Sequence, residues 1–339
     1  MNAPPPAPAL FHPAIEPADP LARFWLTQVT LRLRREISWC WHQRGAAGKA
    51  DAGPVPGALP PFTDAAQDSL DLLRFRADKQ SFFATDVTAR YLTECIARPG
   101  VRAAAPAPGR WRKLADELAL DDAAQFVLAC ALAARADASL GAVAAAALND
   151  PYKPYPTLAL AQRLWDDPLA IVRCAEATHP LYRYGLLKAP AARDAAEWSA
   201  PLDMPATVAQ ALLADSCDDT LPAVLRPLSA RDAPAVPAAA KALAWWLHAT
   251  PVTSMQIVPV QTLRGADTAG WIAALAAGTQ TRVALLGEDV TPEHASLPGL
   301  ACAAWLHGFG VLAPDHWAQH CSAPNHEAWV APLAVIPVR

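Results

Sequence analysis

Residues Met255–Ala277, MQIVPVQTLRGADTAGWIAALAA, place the tightest limit on what this chain can fold into. An apolar run, a loop with glycines and an Ala-rich helix follow one another, and strands alternating with helices build a parallel layer. RVALLGED, LACAAWLHGFGVLAP and LAVIPVR continue the alternation, so residues 238–339 are expected to form a small α/β domain with a parallel sheet. The loop has part of a phosphate cradle. A P-loop is Gly-x-x-x-x-Gly-Lys-[Ser/Thr], in which backbone amides and the lysine hold phosphate and the hydroxyl reaches Mg²⁺. Gly265 and Gly270 stand five apart as the motif requires, but Trp271 and Ile272 occupy the Lys and Ser/Thr positions. The domain is therefore expected to be degenerate and P-loop-like, with Gly265 and Gly270 the remnant of a nucleotide-binding loop and no ATP hydrolysis there.

An acidic pair that holds Mg²⁺ would complete such a site. Glu288-Asp289 after RVALLG and Asp315-His316 after GFGVLAP stand nearest, but neither follows a run of four apolar residues as Asp-Glu, and Pro314 interrupts the second. Both are read as loop carboxylates. His294, His307, His316, His320 and His326 crowd this end of the chain with Cys302 and Cys321. His316 and His320 share one helix face at i, i+4, and Cys321 adjoins, so these three are the residues a metal would use. HWAQHC lacks the glutamate of HExxH, and solvated histidines are the expectation. No metal, no cofactor and no catalytic residue is predicted.

The rest of the chain reads as mainly helical. At 339 residues it exceeds the roughly 250–300 at which a single core stops growing. The net charge of −4 leaves no basic footprint for nucleic acid. The N-terminus has neither a basic n-region nor an apolar h-region, and long apolar stretches are broken by Asp, Arg or Pro, so a cytoplasmic protein away from membranes is expected. The seven cysteines stand singly with no CxxC, as buried reduced thiols do. The twelve tryptophans, scattered at helical positions, are expected to anchor cores and interfaces.

Residues 1–17 are Pro/Ala-rich and expected to be a disordered tail; 18–165 form a helical domain with a linker at 44–61. Within it the patterns predict helices over 19–43, where Arg32–Glu36 (RLRRE) reads as a solvated face, over 64–98, and in two pieces over 111–135. Thr157 is placed to cap the helix TLALAQRLW. Residues 166–215 give a helix at about 168–177, a short apolar strand in HPLYRYGLLKA and a further helix near 205–214, an alternation compatible with a winged-helix-like module. Residues 216–237 read as a second linker, followed by a helix at 238–248.

The order of segments DLLRFRADKQSFFATDVTARYLTECI, LALDDAAQFVLACALAARAD, LNDPYKPYPTLALAQRLW, HPLYRYGLL and EWSAPLDMPATVAQALL resembles the N-terminal region of AAA+ ATPases associated with extracellular contractile injection systems, phage-tail-like particles. Asn149-Asp150, Tyr155-Pro156-Thr157, His179-Pro180-Leu181 and Gly185-Leu186-Leu187 stand where that family carries its helical-region motifs, and Leu202–Leu213 is similar to its winged-helix stretch. The resemblance covers about residues 18–215. It implies a degenerate first ATPase module beyond residue 240 and an intact second module downstream; a chain ending at Arg339 is then either an N-terminal piece or a shortened relative. It also implies a non-catalytic regulatory or adaptor region that recognises protein partners, either particle components or other ATPase subunits, and is compatible with a homo-oligomer. Two alternatives are a winged-helix DNA-binding regulator, for which the helix PATVAQALLA offers no base-reading cation, and a metal-dependent hydrolase using the C-terminal His/Cys/Asp set.

Overall fold

The computed structural model describes residues 15–47, 72–98, 109–188, 197–214, 221, 224–228, 257–261, 270–274, 282–287, 290, 297–313 and 334–338. The fold is mainly helical with a small mixed sheet. Helix α1 (Pro20–Ala47) starts where expected, with Asp19 Oδ1 accepting from Leu21 N at 2.8 Å and Pro20 in the first helical position. It continues four residues past Gln43, into the stretch read as linker.

The single helix expected over 64–98 is two among the described residues: α2 (Leu72–Thr85) and α3 (Val87–Ala97). Asp86, at φ −69° and ψ 132°, leaves the helix and caps α3 by accepting from Ala89 N at 2.8 Å. Such a side chain offers the backbone an alternative to continuing the helix.

Helix α4 (Arg110–Glu117) is capped by the aspartate that starts α1, since Asp19 Oδ2 accepts from Trp111 N at 2.9 Å. A Cβ on Gly109 would lie 2.5 Å from that oxygen, so the position takes glycine. Helix α5 (Asp122–Ala136), capped by Asp121, is the centre of the body: Ala123 to Ala133 are all buried. A helix apolar on every face must be surrounded. Around it stand α1, α4, α6 (Leu140–Leu148), α7 (Leu158–Leu164), α8 (Pro168–Arg173), α9 (Pro180–Arg183) and α10 (Ala206–Leu213), whose apolar residues join one core. Thr157 caps α7 as predicted, accepting from Leu160 N at 3.0 Å.

Two local expectations fail between 166 and 214. The helix after Pro168 ends at Arg173. The strand expected in HPLYRYGLLKA is the short helix α9 with turns after it, because His179 Nδ1 accepts from Leu181 N and Pro180 takes the first helical position. Among the described residues of this stretch there is no ladder strand, only an isolated bridge between Thr157 and Pro201.

The sheet holds β1 (Leu225–Pro227), β2 (Ile257–Gln261), β3 (Arg282–Leu286), β4 (Phe309–Leu312) and β5 (Ala334–Val338), in the order β1-β3-β4-β5-β2. Four of these strands are parallel, as expected. The fifth corrects the expectation of a purely parallel sheet: β1, from the stretch read as a second linker, pairs antiparallel with β3, Leu225 opposite Leu286. Helix α11 (Leu297–Leu306) joins β3 to β4 and shares its two faces between two cores. Leu300 and Ala304, four apart, lie in the sheet cluster with Leu286, Phe309 and Val311, while Cys302, Ala303, Trp305 and Leu306 lie in the core of the helical body.

Candidate functional site

The strand–loop–helix that opened the sequence reading has its expected ends. β2 closes at Gln261, and a helical turn occupies residues 270–274, with Gly270 at its start. Eight residues lie between, Thr262–Ala269, and Gly265 among them is outside the described residues. The topology locates the end of β2. From β2 to β3 the chain crosses β5 and β4 in one direction, then returns one strand at a time to β4 and β5. Right-handed crossovers therefore put the 270–274 turn on one face of the sheet and α11 on the other. The carboxyl end of β2 is a topological switch point, where open α/β sheets bind ligands.

The chemistry at that place is apolar. Ile272, at the Ser/Thr position, is fully buried, as is Ala274, and Trp271 stands half-buried at the Lys position. These two positions supply no cation and no hydroxyl for Mg²⁺. Glu288, Asp289 and Asp315 lie outside the described residues.

The metal candidates His316, His320 and Cys321 also lie outside the described residues, as do His294 and His326. Among the described residues no group of three His, Cys, Asp or Glu side chains could hold a metal ion. Cys302 and His307 are built into the junction between sheet and body. Burial pushes the Cys302 thiol up to about 12, which withholds the thiolate a metal needs. His307 is buried, and its Nδ1 accepts from Arg110 Nη2 at 3.1 Å, because a guanidinium only donates. Arg110 Nη1 also donates to the Ala211 carbonyl at 3.0 Å, and Arg282 donates to the His307 carbonyl at 2.9 Å while lying 4.2 Å over the Phe309 ring. Lys113 donates to the Trp305 carbonyl at 2.9 Å and sits 4.6 Å over its ring; burial lowers its pKa. The basic residues at the start of α4 thus fasten α10 and α11 to the helical body.

A second set of charges lies inside the body, and here the sequence reading of Arg32–Glu36 as a solvated face is overturned. Arg32, Leu33, Arg35 and Glu36 are buried; of the five residues only Arg34 is exposed. Spaced i, i+3 and i+4, the three buried charges turn to one side of α1. Asp166 receives Arg32 Nη1 and Arg35 Nη2, each at 2.6 Å, and Glu36 accepts from Arg163 Nε at 2.6 Å while pairing with Lys79. Rings close the set: Arg32 lies 4.4 Å from the Trp165 centroid, itself stacked on Phe126, and Arg35 lies 4.4 Å from Phe83. For Asp166, burial works to raise the carboxyl and the two guanidiniums outweigh it, holding it below the usual carboxylate range. For Lys79, burial outweighs Glu36 and lowers the pKa. These cations are already engaged by carboxylates and rings within the fold.

The tryptophans behave as anchors. Trp25 and Trp111 donate their indole N–H groups to one oxygen, Gln125 Oε1, at 2.9 and 3.1 Å, deep in the core. Trp41 is the contrary case, 65% exposed on α1. Tyr152, 88% exposed, stands three residues from Asn149, which accepts from Arg44, three residues beyond Trp41. No helix among the described residues is long and apolar enough to cross a membrane.

Comparisons with family models, with curated proteins and with solved structures return no match.

Proposed function

We propose that this chain is a non-catalytic adaptor or regulatory region of an AAA+-like protein, and that its α/β layer is a P-loop-like scaffold kept for its shape. The observation that carries the reading is Trp271 and a buried Ile272 in the turn that follows β2, where phosphate chemistry needs a lysine and a hydroxyl. The layer is fastened to a large helical body through α11, so its remaining use is to position that body. The work falls to protein recognition, in assembly or remodelling of a contractile injection particle, as the segment resemblance implies. Trp41 and Tyr152, large exposed rings each three residues in sequence from a partner of the Arg44–Asn149 hydrogen bond, have the chemistry of interface anchors.

The winged-helix DNA-binding reading has less to support it. α10 buries Val208, Ala209, Ala211 and Leu212 and packs on α11, which leaves no cation for a groove. The hydrolase reading has no metal-ligand group among the described residues.

The reading is tested by calorimetry and thermal shift with Mg-ATP and Mg-ADP. Neither nucleotide is expected to raise the melting temperature; stabilisation of about 3 kcal/mol, as at a hundredfold excess over Kd, overturns the scaffold reading. In parallel, purified particle components are titrated against wild type and Trp41→Ala/Tyr152→Ala. The double variant is expected to lose binding at unchanged melting temperature, and equal binding refutes the assigned surface.

A further inference from the structure

The seam between the α/β layer and the helical body closes on one imidazole. His307 follows the last residue of α11, and Gly308, at φ 71°, then turns the chain into β4. The ring is buried and meets Arg110, itself buried at the start of α4. Arg110 Nη2 donates to His307 Nδ1 at 3.1 Å and Nη1 donates to the Ala211 carbonyl at 3.0 Å, so one guanidinium ties α4 both to α10 and to the end of α11. A guanidinium has donors only, which fixes the ring as neutral with its proton on Nε2. A second proton would take the lone pair that the arginine uses.

The charged groups that the described residues set around this ring are mostly basic. α4 brings Arg110 and Lys113, and β3 brings Arg282. α10 and β4, which pack on α11, carry no titratable side chain. α11 itself brings Cys302, whose thiol burial keeps protonated, and Glu117 on α4 acts on Lys113. The carbonyl end of a helix ordinarily favours a protonated histidine. Here that end is already taken, because Lys113 donates to the Trp305 carbonyl and Arg282 to the His307 carbonyl, each at 2.9 Å. An imidazolium would lie 3.1 Å from a guanidinium, out of water, with two further cations on the adjoining carbonyls.

We propose that the Arg110–His307 bond is an acid-sensitive latch: proton uptake by His307 favours a state in which α11 and the sheet behind it are released from α4 and α10, while the body around α5 stays folded. Linkage gives the direction. The closed seam keeps the ring neutral, and an opened seam exposes a ring that titrates near the ordinary value of about 6.5. Closure is therefore fully supported above about pH 6.5 and loses about tenfold in its equilibrium for each pH unit below it. α11 places Cys302, Ala303, Trp305 and Leu306 in the core of the body, so release uncovers an apolar strip of that helix.

The test is hydrogen exchange of the full chain from about pH 7.5 to about pH 5, read on peptides by mass, with each rate divided by the intrinsic rate at that pH. In wild type the protection of α11 is expected to fall about tenfold per pH unit below about 6.5, while that of α5 holds. His307→Asn sets an amide oxygen where Nδ1 accepts and does not titrate, so its α11 protection is expected to stay level across the range. A level wild-type profile, or a slope that His307→Asn retains, overturns the latch. Because the variant can fail to fold, wild-type chain carrying isotope-labelled histidine is also followed by NMR over the same range. Proton uptake by the His307 ring is expected to coincide with the loss of α11 protection; a ring that takes its second proton while α11 stays protected refutes the proposal.

Discussion

The α/β layer and the helical body divide between them what a ligand site needs. At the switch point after β2 the fold supplies the place, yet the side chains there are Trp271 and a buried Ile272. Inside the body the charges are plentiful, Arg32, Arg35, Lys79 and Arg163 against Glu36 and Asp166, yet each is spent on a neighbour within the fold. Position without charge and charge without vacancy teach the same lesson: ionic groups here hold helices together, and the sheet holds its place by packing.

The strongest way to break that comparison is to remove the carboxylate with the least solvent. Glu36→Gln leaves Lys79 and Arg163 facing each other at a site where the glutamate is 2% exposed, and a loss of about 3–5 kcal/mol is expected. Denaturant unfolding followed by far-UV circular dichroism measures it. The double variant Glu36→Leu/Lys79→Met removes both charges and recovers part of the loss, because the cost lies in an unpaired buried charge. A Glu36→Gln chain as stable as wild type would show that these charges are not structural, and the body would regain a claim to a ligand.

What the sequence made legible follows from how local each signal is. Helix starts were readable because Asp19, Asp121 and Thr157 make their capping bonds within three residues of themselves. Strands β2 to β5 were readable because apolar runs bounded by loops need no partner to be seen. The burial of Arg32 and Arg35 was not, since it depends on Asp166, which bonds Arg35 across 131 positions. A cue existed in the i, i+3, i+4 spacing of Arg32, Arg35 and Glu36, which stays on one side of the helix. β1 was hidden because three residues, Leu-Arg-Pro, become a strand only through pairing with β3. Of the candidate site, the missing lysine and hydroxyl were readable from the motif, while the mixed sheet and the α11 junction came only from the packing.

The sheet side of the comparison is sharpened by Ile272→Thr, which restores a hydroxyl at the motif position. Ile272 is fully buried, so the change removes apolar volume and places a hydroxyl out of water; a loss of about 1–3 kcal/mol is expected with no gain in Mg-ATP binding. Thermal unfolding with and without nucleotide reads both quantities. Nucleotide-dependent stabilisation of the variant would mean that this place is one substitution from a site.

The smallest effect separates the two arginines' carboxylate from the buried one. Asp166 is 57% exposed, so solvent screens its pairing with Arg32 and Arg35, and Asp166→Asn is expected to lose no more than about 1 kcal/mol at pH 7. Its signature is in acid. The two guanidiniums hold the folded carboxyl below the usual carboxylate range, against the upward push of burial. A depressed carboxyl contributes stability that is full above the unfolded value, about 3.9, and is lost as pH falls through the lower folded value. Wild-type stability should therefore fall more steeply than that of Asp166→Asn below about pH 4, with the two curves converging in the strongest acid. Parallel curves across that window would mean that Asp166 is held no more tightly folded than unfolded, and that the arginines face it without binding it.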